Sequence, residues 1–311
     1  MKTNAAESDG AAPTLELRQF TPRSPSSAWR APVTLRTDAR RVALVGDWEP
    51  LFQVLGARSE VGGGSAIILG CALEAAISRG ILGFAACDPP LPGSFSVAEY
   101  LQHAARLSHG SASRASYDAK RALERYGLGE LGKRKLAELA LYQRRALGVA
   151  LATLTEPAVA CLETPLRGLD APSADYVARL CVEAATRSRL VLSADVPSSP
   201  SPERSLLDAC DELFVLDRGV LVAHGAPSAV FAAGSRYAIC VKGDKIEGFV
   251  DTLRTLGVQV EARAEVGRFN VELPSAGSES TDVLLDTALD HGLVVLELEP
   301  IFVARAERAG A

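Results

Sequence analysis

The sequence predicts a mixed α/β fold: a largely parallel sheet carrying a helical insertion, followed by a smaller βαββαβ unit. Three observations predict it. Short apolar strand patterns alternate with helical ones over most of the chain, which is how a buried parallel sheet reads. Beyond about residue 236 the order changes to strand, helix, strand, strand, helix, strand, the ferredoxin-like pattern. The chain's 311 residues, 48% hydrophobic and 23% charged, leave room for one large core and one small one.

Taken in order, Leu15–Arg18 and Val33–Arg36 alternate as half-buried strands, with a Pro/Ser-rich turn expected at Thr21–Ser27. Arg41–Gly46 is a third strand, and a short helix with Leu51, Phe52 and Leu55 on one face follows. Gly62-Gly63-Gly64-Ser65 invites comparison with a nucleophile turn, but it lacks the G-x-S-x-G spacing and reads as a glycine-rich turn. Ser96-Val97-Ala98-Glu99 is a capping box, with Phe95 placed to staple onto Tyr100. It opens a helix, and Ala119, Ala122, Leu123 and Tyr126 mark a second one ending at Gly127.

A third helix, from about Gln143 to Leu154, leads into a buried strand at Ala158–Leu162. Pro172 sits just inside a further helix, and Leu190–Ser193 is another strand. Leu213–Leu216 and Val220–Ala223 flank a hairpin turn at Asp217-Arg218-Gly219. In the C-terminal unit, helices are expected at Lys245–Leu256 and Asp282–His291, with a polar loop at Ser275–Thr281 between the halves. These patterns divide the chain into a tail (1–13), an α/β domain (14–235, insertion about 94–150) and a βαββαβ domain (236–311).

Composition narrows the function classes. A formal net charge of −5 argues against a dedicated nucleic-acid binder. Arg30, Arg36, Arg40 and Arg41 read as solvated strand-edge residues. The six cysteines, Cys71, Cys87, Cys161, Cys181, Cys210 and Cys240, form no C-x-x-C pair, so no zinc site is expected, and their scatter fits a reduced, cytosolic compartment. No run of eighteen apolar residues spans a membrane, and Met1–Pro13 reads as a polar tail rather than a signal peptide.

Several motifs stand in a telling order: Leu44-Val45-Gly46, Gly83-Phe84, Ser96 to Leu101, Leu162-Glu163-Thr164-Pro165-Leu166-Arg167-Gly168-Leu169-Asp170, and Leu216 to Gly225. By these residues, positions 14–235 resemble an ABC-type ATP-binding subunit, a P-loop NTPase-derived fold. The region from 236 onward is similar to the C-terminal domain of drug-exporter ATPases, including the daunorubicin-resistance type.

The resemblance implies ATP and magnesium as cofactors, yet the chemical positions depart from the family. A P-loop needs G-x-x-x-x-G-K-[ST]. Here Gly46 is followed by Asp47-Trp48-Glu49-Pro50, and no lysine occurs between Lys2 and Lys120. Asp47 and Glu49 place carboxylates where a phosphate would sit, and Asp47 is expected to cap the helix. The Q-loop glutamine position holds Cys87. The signature aligns with Leu139-Ala140-Leu141-Tyr142-Gln143, where Leu141 and Tyr142 replace glycines and Gln143 reads as a helix-start residue. The catalytic glutamate position is Thr164, and the switch histidine position is Asp195. The adenine-stacking aromatic would fall near Ser24; Phe20 could substitute for it, but a core role is the favoured reading. Glu163, a vestigial magnesium ligand, is expected to cap a neighbouring loop. Gly168, Leu169 and Asp170 form the D-loop.

The expected function is therefore a non-catalytic subunit without cofactor, dimeric, cytoplasmic and peripheral to the inner face of the cell membrane. It would be joined there to a membrane permease subunit or a second ABC ATPase-like chain. A divergent but active ATP-driven exporter subunit is the alternative, and an unrelated α/β enzyme the third reading.

Overall fold

The computed structural model describes residues 12–23, 29, 31–195, 197, 201–217, 219–232, 236–263, 265–273 and 278–300. The chain opens with antiparallel β1 (Leu15–Pro22) and β2 (Val33–Thr37), then β3 (Arg41–Gly46) and the short α1 (Glu49–Leu55). Next come β4 (Val61–Ile68), β5 (Cys71–Ala72), α2 (Leu73–Ser78) and β6 (Leu82–Ala85). The helical insertion holds α3 (Val97–His109) and α4 (Ala112–Arg125). Then follow α5 (Leu141–Ala152), β7 (Val159–Leu162), α6 (Ala171–Ala184), β8 (Arg189–Ala194), α7 (Pro202–Asp208), β9 (Glu212–Asp217), β10 (Val220–Gly225) and α8 (Pro227–Ala232). The C-terminal unit is β11 (Arg236–Lys242), α9 (Ile246–Thr255), β12 (Gln259–Ala262), β13 (Arg268–Glu272), α10 (Ser278–Asp290) and β14 (Val294–Pro300).

The largest sheet has the order β10-β9-β3-β8-β7-β6, parallel except for the β9–β10 hairpin. Its strands are apolar on both faces because both are covered. Val42, Leu44, Cys161, Val191 and Phe214 pack toward α1 and the sheet β2-β1-β4-β5. Ala43, Val45, Ala160, Leu192 and Val215 pack into the helical layer. This period-two division fixes the register and aims the strand ends at one edge. Cys161 is fully buried, and burial pushes its thiol well up.

The insertion forms as its capping box requires. Ser96 Oγ accepts from the Glu99 amide at 3.3 Å, and Glu99 Oε2 accepts from the Ser96 amide at 2.7 Å. Phe95 and Tyr100 meet edge to face, ring centroids 6.5 Å apart. In the C-terminal unit the order β12-β13-β11-β14 is antiparallel throughout, over a core that includes Phe249, Leu253, Val271 and Leu284.

Several expectations are corrected. Gly62-Gly63-Gly64-Ser65 is strand rather than turn: it lies in β4, paired with β1 across two register shifts. Glycine is needed because a Cβ on Gly64 would stand 2.2 Å from the Arg18 carbonyl oxygen. Thr21 and Pro22, expected in a turn, are the end of β1; Ser24–Ser27 lie outside the described residues. Ser278–Thr281, expected in a loop, belong to α10; residues 275–277 lie outside the described residues. Arg218 and Arg30 also lie outside them. The other three arginines are not merely solvated: Arg41 pairs with Asp211, Arg40 donates to the Ala185 carbonyl, and Arg36 approaches Glu16.

Candidate functional site

The C-terminal ends of parallel strands are where open α/β sheets hold ligands. Gly46 closes β3, Cys87 follows β6 by two residues, Glu163 and Thr164 follow β7, and Asp195 follows β8. The sheet therefore brings these sequence-predicted positions to one edge.

At β3 the chain turns into α1 across only Asp47 and Trp48. Gly46 has φ +94°, and a Cβ there would sit 2.2 Å from the Leu216 carbonyl oxygen, so only glycine permits the turn. That carbonyl accepts the Asp47 amide at 3.1 Å. The Trp48 amide donates to the Gly46 carbonyl at 2.7 Å, and the Leu51 amide to Trp48 at 3.0 Å. Pro50 has no N–H. The donors that a phosphate cradle requires are thus consumed within the chain or absent at these four positions.

Trp48 itself is fully buried, its indole N–H donating to the Phe214 carbonyl at 3.1 Å. Its ring meets Trp29 edge to face at 5.8 Å, and Trp29 meets the buried Phe20 at 5.5 Å. Trp29 also donates to the Asp47 carbonyl at 2.8 Å. Phe20 is core, as its sequence pattern predicts; Ser24 lies outside the described residues. The helix cap expected of Asp47 is corrected: the N-cap of α1 is Trp48, without a side-chain cap bond, because the two-residue turn places Asp47 one position too early. Glu49 occupies the first turn of the helix.

Glu163 is buried, 6% exposed, and caps the neighbouring loop as expected. Its Oε2 accepts the Cys87 amide at 3.0 Å and Arg58 Nη2 at 2.6 Å. A charge-assisted hydrogen bond of this kind contributes about 1.5–3 kcal/mol. Cys87 Sγ donates to the Thr164 carbonyl at 3.7 Å. Thr164 has φ +37°, a conformation costing a β-branched residue about 1–3 kcal/mol. Its amide donates to Ser193 Oγ at 2.9 Å, and its buried hydroxyl has no hydrogen-bond partner among the described residues.

Asp195 accepts two hydrogen bonds from Arg167, at 2.5 and 2.9 Å. That contact pushes the Arg167 guanidinium further up; burial opposes it, and the charges of Asp195, Cys87 and Glu49 reinforce it. Arg167 precedes the expected D-loop, where Gly168 has φ +77° and Asp170 caps α6 by accepting the Ser173 amide at 2.8 Å. Leu169 packs against the helical core.

The signature-like residues sit beside this loop rather than at the strand ends. Leu141 starts α5, one of its methyls 3.7 Å from where a Cβ on Gly168 would stand. Gln143 is a helix-start residue, accepting the Ala140 amide at 3.0 Å. The half-exposed Tyr142 meets Tyr176 edge to face, and Arg145 donates to the Arg167 carbonyl at 3.2 Å.

Sequence reasoning missed Arg58, Arg167, Trp29 and Trp48. A signal for the last two was available, since the chain's two tryptophans both meet at this turn. Arg58 carries no local motif. Among the described residues no group of three or more His, Cys, Asp and Glu is arranged to hold a metal ion, and no helix is long and apolar enough to cross a membrane.

No protein-family model matches the chain. It is 27% identical over 171 residues to the rat ATP-binding cassette sub-family G member 5, covering 53% of this chain and 26% of that protein. It is 37% identical over 92 residues to the daunorubicin resistance ATP-binding protein DrrA3 of Streptomyces coeruleorubidus, covering 29% of this chain and 28% of the relative. The matches thus span about a quarter of each of these relatives. Among solved structures, cbiO1 from Clostridium perfringens, part of the ABC transporter complex cbiONQ, superposes with a TM-score of 0.59 at 19% identity, over 71% of this chain and 91% of that one. Over part of its length the chain is similar in sequence to ABC transporter ATP-binding subunits, a daunorubicin-resistance type among them, and it has the fold of the solved ATP-binding subunits.

Proposed function

We propose that this chain is a non-catalytic ABC-type subunit, a structural or regulatory component of a membrane transporter-like complex. The observation that carries the reading is the turn from Gly46 to Glu49, closed on itself by the Asp47 and Trp48 amides and filled from beneath by the buried Trp48 ring. The fold family implies ATP and magnesium, and the residues present do not fit them. The Asp47 and Trp48 amides are used, no lysine stands near the turn in sequence, and Glu163 is engaged by Arg58 and Cys87. Thr164 in place of a general base removes about 10²–10⁴ in rate, and lost charge stabilisation a further ~10²–10³.

Partner binding is assigned to the face bearing the Cys87 loop, Leu141, Tyr142, Gln143 and the D-loop Gly168, Leu169 and Asp170. The partner is a membrane permease subunit or a second ABC ATPase-like chain, which places the protein in the cytoplasm at the inner face of the membrane. That cbiO1 is part of a transporter complex supports this. Calorimetric titration of ATP with magnesium into the full chain tests the reading: no binding at millimolar nucleotide is expected, and magnesium-dependent binding in the micromolar range overturns it.

A second reading, a divergent active subunit, is favoured by the retained Glu163 carboxylate and by the relatives' names as ATP-binding proteins. Hydrolysis by the reconstituted complex that disappears with Glu163→Ala would select it.

A further inference from the structure

We infer that Arg58 is a resident counter-ion for Glu163, and that the pair is a latch holding the loop after β6 in place without any bound ligand. The end of α1 is shaped to deliver it. The Gly56 amide donates to Phe52, Ala57 to Val54 and Arg58 to Gln53, at 3.0, 3.0 and 2.8 Å. Ala57 takes φ +53°, which folds the chain back. Arg58 then crosses the Phe84 ring, 5.5 Å from its centroid. A Cβ on Gly56 would stand 2.6 Å from that ring and 3.2 Å from Arg58 Nε, so glycine opens the path.

The carboxylate at the other end has one cation within ion-pair distance among the described residues, Arg58 at 2.6 Å, with side-chain exposures of 38% for Arg58 and 7% for Glu163. The same oxygen, Glu163 Oε2, takes the Cys87 amide. The Glu163 amide donates to the Ala85 carbonyl at 2.9 Å, and Cys87 Sγ to Thr164. Three bonds therefore fasten the loop to the end of β7, and the charged one rests on Arg58. A carboxylate this buried is left without a counter-charge when its partner is removed, and another cation is drawn to it. Arg58 is thus a positioning residue: it sets the loop through Glu163. This inference goes beyond the proposed function, since it holds whether or not nucleotide binds.

The test is amide hydrogen exchange by NMR on the full chain, comparing wild type with Arg58→Gln and Arg58→Lys. Each is measured in magnesium chloride and in potassium chloride of matched ionic strength, with β3, an interior strand of the same sheet, as the folding control. Losing the charge-assisted contact should lower Cys87 amide protection about tenfold or more in Arg58→Gln. Arg58→Lys should retain more. Magnesium should slow Cys87 exchange in Arg58→Gln and leave wild type unchanged. Unchanged protection in Arg58→Gln, equal loss in Arg58→Lys, or a magnesium response in wild type overturns the inference. If Arg58→Gln also loses β3 protection, the comparison moves to a Glu163→Gln background, where Arg58→Gln should change Cys87 protection less than about twofold; a larger change overturns it. No nucleotide enters the test, so its failure and that of the proposed function are separable.

Discussion

Replacing Trp48 with alanine should be among the most damaging single changes in the α/β domain while creating no nucleotide site. The indole is fully buried. An aromatic side chain of this size hides roughly 150–250 Å², worth about 4–6 kcal/mol at ~25 cal/mol/Å². Measured truncations of large aromatics cost ~3–5 kcal/mol. The lost bond to the Phe214 carbonyl adds about 1 kcal/mol. An overall cost of about 4 kcal/mol is expected, since burial against an extended chain is an upper bound. Urea unfolding followed by circular dichroism measures it. ATP with magnesium should restore none of the loss, because a ligand that does not bind the native state cannot stabilise it. A cost below about 1 kcal/mol would refute the role of Trp48 as the floor of the turn. A nucleotide-dependent rescue would refute the closed-turn argument itself.

Three further outcomes follow from named contacts. Gly46→Ala should destabilise by more than about 1 kcal/mol in the same assay, because its Cβ would meet the Leu216 carbonyl at 2.2 Å and φ +94° is strained for alanine. The double replacement Thr164→Glu with Asp195→His should give no measurable phosphate release, since the Asp47 and Trp48 amides stay occupied. Glu156 should show a pH-dependent role. Burial raises its carboxyl, but the Arg125 hydrogen bond and the charges of Arg121, Arg125 and Arg187 outweigh this, and the net pKa is lowered. A depressed carboxylate contributes stability above its unfolded value, about 4.3, that is lost as pH falls through its folded value. Thermal melts of wild type and Glu156→Gln should therefore differ at pH 7 and converge as pH drops below about 4.

The sequence exposes its parallel sheet because a strand covered on both faces must be apolar throughout, as Arg41–Gly46 and Val159–Leu162 are after their first residues. The capping box at Ser96 and the hairpin at Asp217 were readable because each is local chemistry. β4 was hidden because its three glycines signal a turn locally, and only pairing with β1 makes them strand. α7 and α8 are too short, at 7 and 6 residues, to show a helical period. At the site, the shortness of the turn was legible by counting from Gly46. Its closure was not, because that depends on the carbonyls of Leu216 and Phe214, far along the chain. Glu163 was recognisable as a strand-end carboxylate; its partner Arg58 lies 105 residues away and reaches it only through the fold.

The most direct test of the central claim is to follow the backbone amide resonances of Gly46, Asp47, Trp48 and Glu49 while ATP and magnesium are added to millimolar concentration. The account predicts that all four stay in place, because the Asp47 and Trp48 donors are already bonded within the chain. Saturable shifts at these amides, with Asp47 and Trp48 moving together, would contradict it.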